Sequence, residues 1–415
     1  MTQVLLVSAD QVDHKMAGAG IRYWEMANAL GARGFQVTLA IPNRTNLASD
    51  RFALCTHGFN RANMQRVIQT CDVFVIQGYA LFYMPFLKQS GKPMVVDIYT
   101  PFVFENLEVN VSLSMAERHR VNQRDVHVLQ DQLLAGDFFT CASERQRDFW
   151  LGMLAALNRV NPQTCAVDRT LRRLIDVVPF ALLGTPPQHH HRVLKGVWPG
   201  IAESDVVLVW GGGVWEWFDP LTLIKAVQRV VQDCPHVKLL FMGKGHPSAE
   251  LNDALPMTVY DQAVQLSQDM GLYNRHVFFN QGWIPYHERE SYLLEADIGV
   301  STHFDYVENL FSFRTRLLDY VWAGLPMVVS GGDTASQEIV AACQLGRVVP
   351  PGDVAALAQA IADLAATPDL KARYQKRFEQ VRLQWTWEKA VEPLAAFCQH
   401  PQFAADQSRP NSVDL

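Results

Sequence analysis

Short apolar runs recur along the chain at the spacing of strands buried on both faces, separated by stretches with helical periodicity. In the first half they fall at Val4 to Val7, Gln36 to Ile41, Val73 to Ile76, Met94 to Ile98, Phe138 to Cys141 and Asp176 to Pro179. The first intervening helix carries Ile21, Trp24, Ala27 and Leu30 on one face and stops at Gly31 and Gly34. Strand, helix, strand at this spacing predicts a parallel sheet. The pattern then dissolves at 184–200, GTPPQHHHRVLKGVWPG, which reads as a linker with His189 to His191 as a solvated spacer. A second series follows at Val206 to Trp210, Lys238 to Met242, Val277 to Asn280, Asp297 to Ser301 and Met327 to Ser330, and a last helix at Leu383 to Phe397.

The pattern therefore predicts an α/β chain of two Rossmann-like, doubly wound domains facing across a cleft. They cover 1–183 and 201–382, with helix 383–397 packing back on the first and 401–415 as a flexible tail. Ligands of such sheets sit beyond the carboxyl ends of the strands, so the site is expected there.

Composition narrows the function. The 415 residues are 49% apolar, enough for two cores, and the net charge of -6 argues against a nucleic-acid partner, which needs a basic face. Seven dispersed cysteines without a C-x-x-C pair fit reduced thiols in a cytoplasm and no zinc site. The N-terminus reads as a strand and not a signal peptide, and no apolar run reaches the length of a membrane span. A cytoplasmic protein follows, peripheral on the inner membrane face at most. The stretch Arg145 to Val160 mixes arginines with Phe149, Trp150, Leu151, Met153 and Leu154. A core-facing helix is the simpler expectation for it, docking on an anionic membrane the other.

Glycine-rich turns raise a nicotinamide reading, which fails. Gly18 and Gly20 are followed by Tyr23 where G-x-G-x-x-G needs a third glycine, and Gly211, Gly212 and Gly213 by Glu216. The segment from Leu293 to Ser330 carries a stronger signal: strand, acidic loop, helix with Leu317, Leu318, Val321 and Trp322, then strand. A helix opening after a strand presents amides and a partial positive charge suited to a diphosphate. Phe311, Ser312 and Phe313 would present them, Arg314 and Arg316 would add charge, and Asp319 would accept from ribose hydroxyls.

On these residues the chain resembles glycosyltransferase family 4, retaining sugar-nucleotide-dependent enzymes of the GT-B fold. The resemblance rests on Ala296-Asp297, Ser301, Glu308, Asp319 and Gly324-Leu325-Pro326, supported by GAGIRYWEMANALGARGFQVTLA, Ser143 to Trp150, Val178-Pro179, Gly243, Gly282 and the terminal WTWEKA. It implies that Glu308, three residues upstream of the usual position, replaces the acid that holds donor-sugar hydroxyls. The family's Arg and Lys on the diphosphate would fall on Gly213 and Phe218, so Arg314 or Arg316 is expected to replace them. Gly18 and Gly20 stand where the family's N-terminal loop approaches phosphates and acceptor. The strand that often ends in a site histidine gives Asp97 and Tyr99. Trp215, Trp217 and Trp283 read equally as core or as a wall for base or sugar.

The resemblance implies transfer of a hexose-type unit from a nucleoside diphosphate sugar to a hydroxyl acceptor with retention, the acceptor being a glycan, a lipid-linked or a small molecule. Glu308, Asp97 and Arg314 would be catalytic, and no metal or other cofactor is required. The alternatives are a nucleotide-sugar-binding protein without turnover, or an epimerase or phosphorylase of the same fold; no cofactor-lysine motif supports the phosphorylase.

Overall fold

The computed structural model describes residues 1–248 and 257–407. The chain forms two compact units, Met1–Phe180 with the chain from Trp387 onward, and Ala181–Thr386.

The first unit is built on seven strands: β1 (Gln3–Val7), β2 (Gln36–Ile41), β3 (Ala53–Thr56), β4 (Val73–Gln77), β5 (Met94–Asp97), β6 (Phe138–Cys141) and β7 (Ile175–Val177). They pair in the order β3-β2-β1-β4-β5-β6-β7, every pairing parallel. The reversal at β1 makes it doubly wound. All residues of β4, β5 and β6 are buried, as parallel strands covered on both faces require. The helix Gly18–Ala32 buries Tyr23, Met26, Ala27 and Leu30. That core stripe is turned one position from the expected Ile21, Trp24, Ala27 and Leu30, because Trp24 packs edge-on against Phe52 in the β2–β3 connection.

The second unit has six strands: β8 (Val206–Trp210), β9 (Val237–Phe241), β10 (Val277–Phe279), β11 (Ile298–Ser301), β12 (Met327–Ser330) and β13 (Gly346–Val349). Their order is β10-β9-β8-β11-β12-β13, again all parallel. Both units are thus Rossmann-like.

Three expectations change. The stretch 184–200 is anchored in the second unit: the Glu295 carboxylate accepts the N–H groups of Val193, Leu194 and Lys195 at 2.8–3.0 Å, and His189 Nε2 lies 2.7 Å from it. The last helix breaks into Trp387–Ala390 and Glu392–Gln399, with Pro393 in the first turn of the second piece. Residues 401–407 of the expected tail are held against the first unit. Arg159 donates to both carboxylate oxygens of Asp406 at 2.6 and 3.2 Å, and Ala404 N–H to Asp137 at 3.0 Å. The rest of that tail, 408–415, lies outside the described residues.

The helix Glu144–Ala156 faces the core. Trp150 and Leu154 are wholly buried, and Phe149, Leu151 and Met153 pack on the same cluster, so its apolar side is not offered to a membrane. Among the described residues no helix is long and apolar enough to cross one.

Candidate functional site

At the carboxyl edge of the second sheet the helix Arg316–Ala323 ties the loop after β8 to the strands β8 and β11. Tyr320, buried in that helix, accepts from Gly211 N–H at 2.8 Å, and its hydroxyl lies 2.9 Å from the carbonyls of Val209 and Val300. A Cβ on Gly299 would stand 2.5 Å from the Tyr320 ring, so glycine in β11 is what admits this tie. The helix ends at Gly324, whose φ of 70° is the left-handed stop that glycine adopts without strain.

The loop after β8 turns at Gly212 with φ 73°. Its next residue, Gly213, offers its carbonyl to Arg316 Nη2 at 2.8 Å. Arg316 is 8% exposed and lies over the rings of Trp210 at 4.3 Å and Phe218 at 4.1 Å. No carboxylate pairs with it among the described residues, and its Nη1 has no hydrogen-bond partner. Burial first, and then the neighbouring Arg314 charge, push its pKa down to about 9, which leaves it cationic at neutral pH. A buried cation partnered only by a carbonyl and two ring faces is costly to keep without an anion.

Arg314 is placed differently. It donates to both oxygens of Glu308 at 3.0 and 2.6 Å and to Asn309 Oδ1 at 3.1 Å. The Ser312 hydroxyl also bonds the Glu308 carboxylate. Glu308 is 2% exposed and Arg314 5%. The pair is self-neutralising, which bears on two expectations. Arg314 brings no net charge to a diphosphate, and in this state Glu308 is not open to sugar hydroxyls.

His303, at the end of β11, sits between the hydroxyls of Ser301 at 3.1 Å and Ser330 at 3.3 Å. Burial first, then the Arg314 and Arg316 charges, hold its pKa well below the usual histidine value. Asp333, in the turn after β12, is wholly buried. It accepts from Ser336 N–H at 3.0 Å through Oδ1, while Oδ2 and the Thr334 hydroxyl have no partner.

The expected amide donors are also displaced. Phe311 ends a short helix, Val307–Phe311, and Ser312 is extended. Phe313 is buried 5.7 Å from the Trp385 ring. The next helix begins only at Arg316, because Ser312 and Arg314 turn back to Glu308, so Phe311, Ser312 and Phe313 do not form its N-terminus. Asp319 is one-third exposed and 3.4 Å from Arg289 Nε. Trp283 joins a half-buried aromatic row. Trp215 lies 6.3 Å from it, 6.0 Å from Trp217 and 5.8 Å from His246, and a backbone bridge ties Trp283 to Gly243.

In the first unit, Asp97 ends β5 and is held by Arg22 at 2.7 and 2.8 Å and by the Thr140 hydroxyl at 2.8 Å. Both members of this ion pair are 0% exposed. Asp97 is therefore held in a buried ion pair and is not presented at the surface. Gly18 opens the first helix. Gly20 is glycine because a Cβ there would meet the Gln11 carbonyl at 2.3 Å.

Sequence reasoning missed Arg22, Asn309, Asp333 and Thr334. Arg22 lies inside an apolar helix and Asp333 in an ordinary glycine turn, and neither stands at a motif spacing.

Residues 204–367 match the family model described as Glycosyl transferases group 1. No curated protein sequence matches the chain. Among solved structures it is similar to the sucrose-phosphate synthase of Thermosynechococcus elongatus, with TM-score 0.63, 16% identity and coverage of 96% of this chain and 98% of the other. It is similar to trehalose-6-phosphate synthase OtsA, with TM-score 0.65, 12% identity and coverage of 97% and 100%. Anabaena HepE in complex with UDP-glucose matches with TM-score 0.60, 14% identity and coverage of 96% and 100%. The matched domain and the fold support a glycosyltransferase of the GT-B type, built from two Rossmann-like domains.

Proposed function

We propose that the chain is a retaining glycosyltransferase that moves a hexose-type unit from a nucleoside diphosphate sugar to a hydroxyl acceptor, with the donor bound at the carboxyl edge of the second sheet. The observation that carries this reading is Arg316, a buried cation with an unpartnered Nη1 against the Gly211–Gly213 loop. A departing nucleoside diphosphate bears two or more negative charges, and cleavage of the sugar–phosphate bond is eased when a preorganised donor meets them. Arg316 is the one site cation in the expected segment whose charge is not already spent on a carboxylate. The HepE neighbour, in complex with UDP-glucose, supports a nucleotide sugar as donor.

Glu308 then serves the donor sugar only when Arg314 releases it. Retention follows from the family resemblance, in which the leaving phosphate takes the acceptor proton on the face it departs from. Asp319 and the Trp215, Trp217 and Trp283 row would flank ribose and base. Binding without turnover is the second reading, and the closed Glu308–Arg314 pair favours it.

A thermal-shift panel of UDP-glucose, UDP-galactose, UDP-N-acetylglucosamine and GDP-mannose tests the donor site. At least one is expected to raise the melting temperature, and stabilisation by none sinks the reading. Release of free nucleoside diphosphate on adding hydroxyl acceptors separates transfer from binding alone.

A further inference from the structure

One buried cation, Arg314, and two buried carboxylates, Glu308 and Asp333, are brought into one neighbourhood by the loops after β11 and β12. Arg314 is bonded to Glu308, yet its Nε has no partner. Asp333 Oδ2 is buried and also without one. Asn309 links the two loops, accepting from Arg314 Nη2 at 3.1 Å and donating to the Gly331 carbonyl at 3.2 Å, two residues before Asp333. The Arg314 charge already acts on Asp333, against the burial that raises its pKa.

A guanidinium with a free edge, joined through Asn309 to the loop that holds a carboxylate with a free oxygen, has a second seat within that loop pair. On Glu308 it closes the acid that a donor sugar needs. We propose that Asp333 is a positioning residue of the donor site, the second seat of Arg314, and that Arg314 moving to it frees the Glu308 carboxylate for the donor-sugar hydroxyls. This rests on the donor reading above. The sugar supplies the driving force, because its hydroxyls, with Ser312, replace the bonds that Glu308 gives up, while Arg314 keeps a carboxylate throughout. A nucleoside diphosphate without its sugar has nothing to offer Glu308, so it binds with the pair closed.

Isothermal titration of Asp333→Asn tests this with the panel sugar nucleotide that stabilises most and with its free nucleoside diphosphate. The nucleoside diphosphate is expected to bind within about twofold of wild type, while the sugar nucleotide weakens about tenfold, the scale of one charged hydrogen bond. Glu308→Gln should show the same selective loss, and the double variant no more than either single one. Equal loss of both ligands, or none, overturns the proposal. Should the Asn variant fail to fold, the wild type co-crystallised with that sugar nucleotide decides: Arg314 bonded to Asp333 supports it, and Arg314 still on Glu308 overturns it while leaving the donor reading intact. A wild type that binds no panel member fails earlier and sinks both.

Discussion

Arg316 and Arg314 are two positions apart in the sequence, but burial and partners give them opposite characters. Replacing one partner of a buried ion pair strands the other, so Arg314→Met is expected to destabilise by about 3–5 kcal/mol. Arg316→Met removes a buried charge that forms no ion pair with a carboxylate among the described residues, and it keeps an apolar stem between Trp210 and Phe218. Its urea midpoint should equal or exceed that of wild type, while its affinity for UDP falls at least tenfold, about 1.4 kcal/mol. A variant that loses stability and keeps UDP binding would contradict the assignment. His303 adds a pH signature. Its folded pKa lies well below 6.5. Between that value and about 6.5 the unfolded chain binds a proton that the folded chain does not, so stability falls as pH drops through this window, by at most about 1.4 kcal/mol per pH unit. His303→Gln should flatten urea midpoints between pH 7.5 and 5 relative to wild type. The buried His57 and His276, also shifted down, retain a smaller common slope. None of this pairing is legible from residue spacing: the pattern shows two arginines and an acid, and only the backbone turn at Ser312 decides which arginine the acid takes.

Elements were legible where burial is complete. The central strands β1, β4, β5, β8, β11 and β12 are apolar runs that the sequence exposes directly, because parallel strands covered on both faces have no polar alternation to disguise them. The edge strands β3 and β13 escaped. Ala53–Thr56 has no fully buried residue and Gly346–Val349 only one, so neither presents a continuous apolar run. Glycines were legible as turns but not as contacts. Gly20 invited a phosphate-loop reading, whereas its lack of a Cβ is explained by the Gln11 carbonyl. Gly20→Ala must therefore push the helix Gly18–Ala32 off the loop after β1 or bend that loop. A fall in the urea midpoint of the first unit is expected, of the 1–3 kcal/mol typical of overpacking, whether or not nucleotide is present. A variant as stable as wild type but defective in nucleotide binding would restore the phosphate-loop reading.

At the scale of the chain, the first unit is not sequence-continuous: it is completed by residues that follow the 206-residue span of the second unit, Ala181–Thr386. Phe397 stacks on Phe138 with ring centroids 4.9 Å apart, next to the start of β6. Asp406, 8% exposed, takes the guanidinium of Arg159, which also donates to the Leu133 and Leu134 carbonyls. This closure is invisible to hydrophobic periodicity, since Pro401–Gln407 forms no helix or strand and its value lies in one buried carboxylate. Asp406→Asn leaves Arg159 buried without its anion, at a cost of about 3–5 kcal/mol. The second unit carries the proposed donor site and shares no residue with this clasp. Hydrogen exchange should therefore show β6 and the helix Glu144–Ala156 opening faster in the variant, with β8, β11 and β12 unchanged. UDP protection of the second unit should also stay at its wild-type level. Uniform acceleration across both sheets would mean that the two units unfold as one cooperative body, and that the clasp stabilises the whole chain instead of the unit it closes.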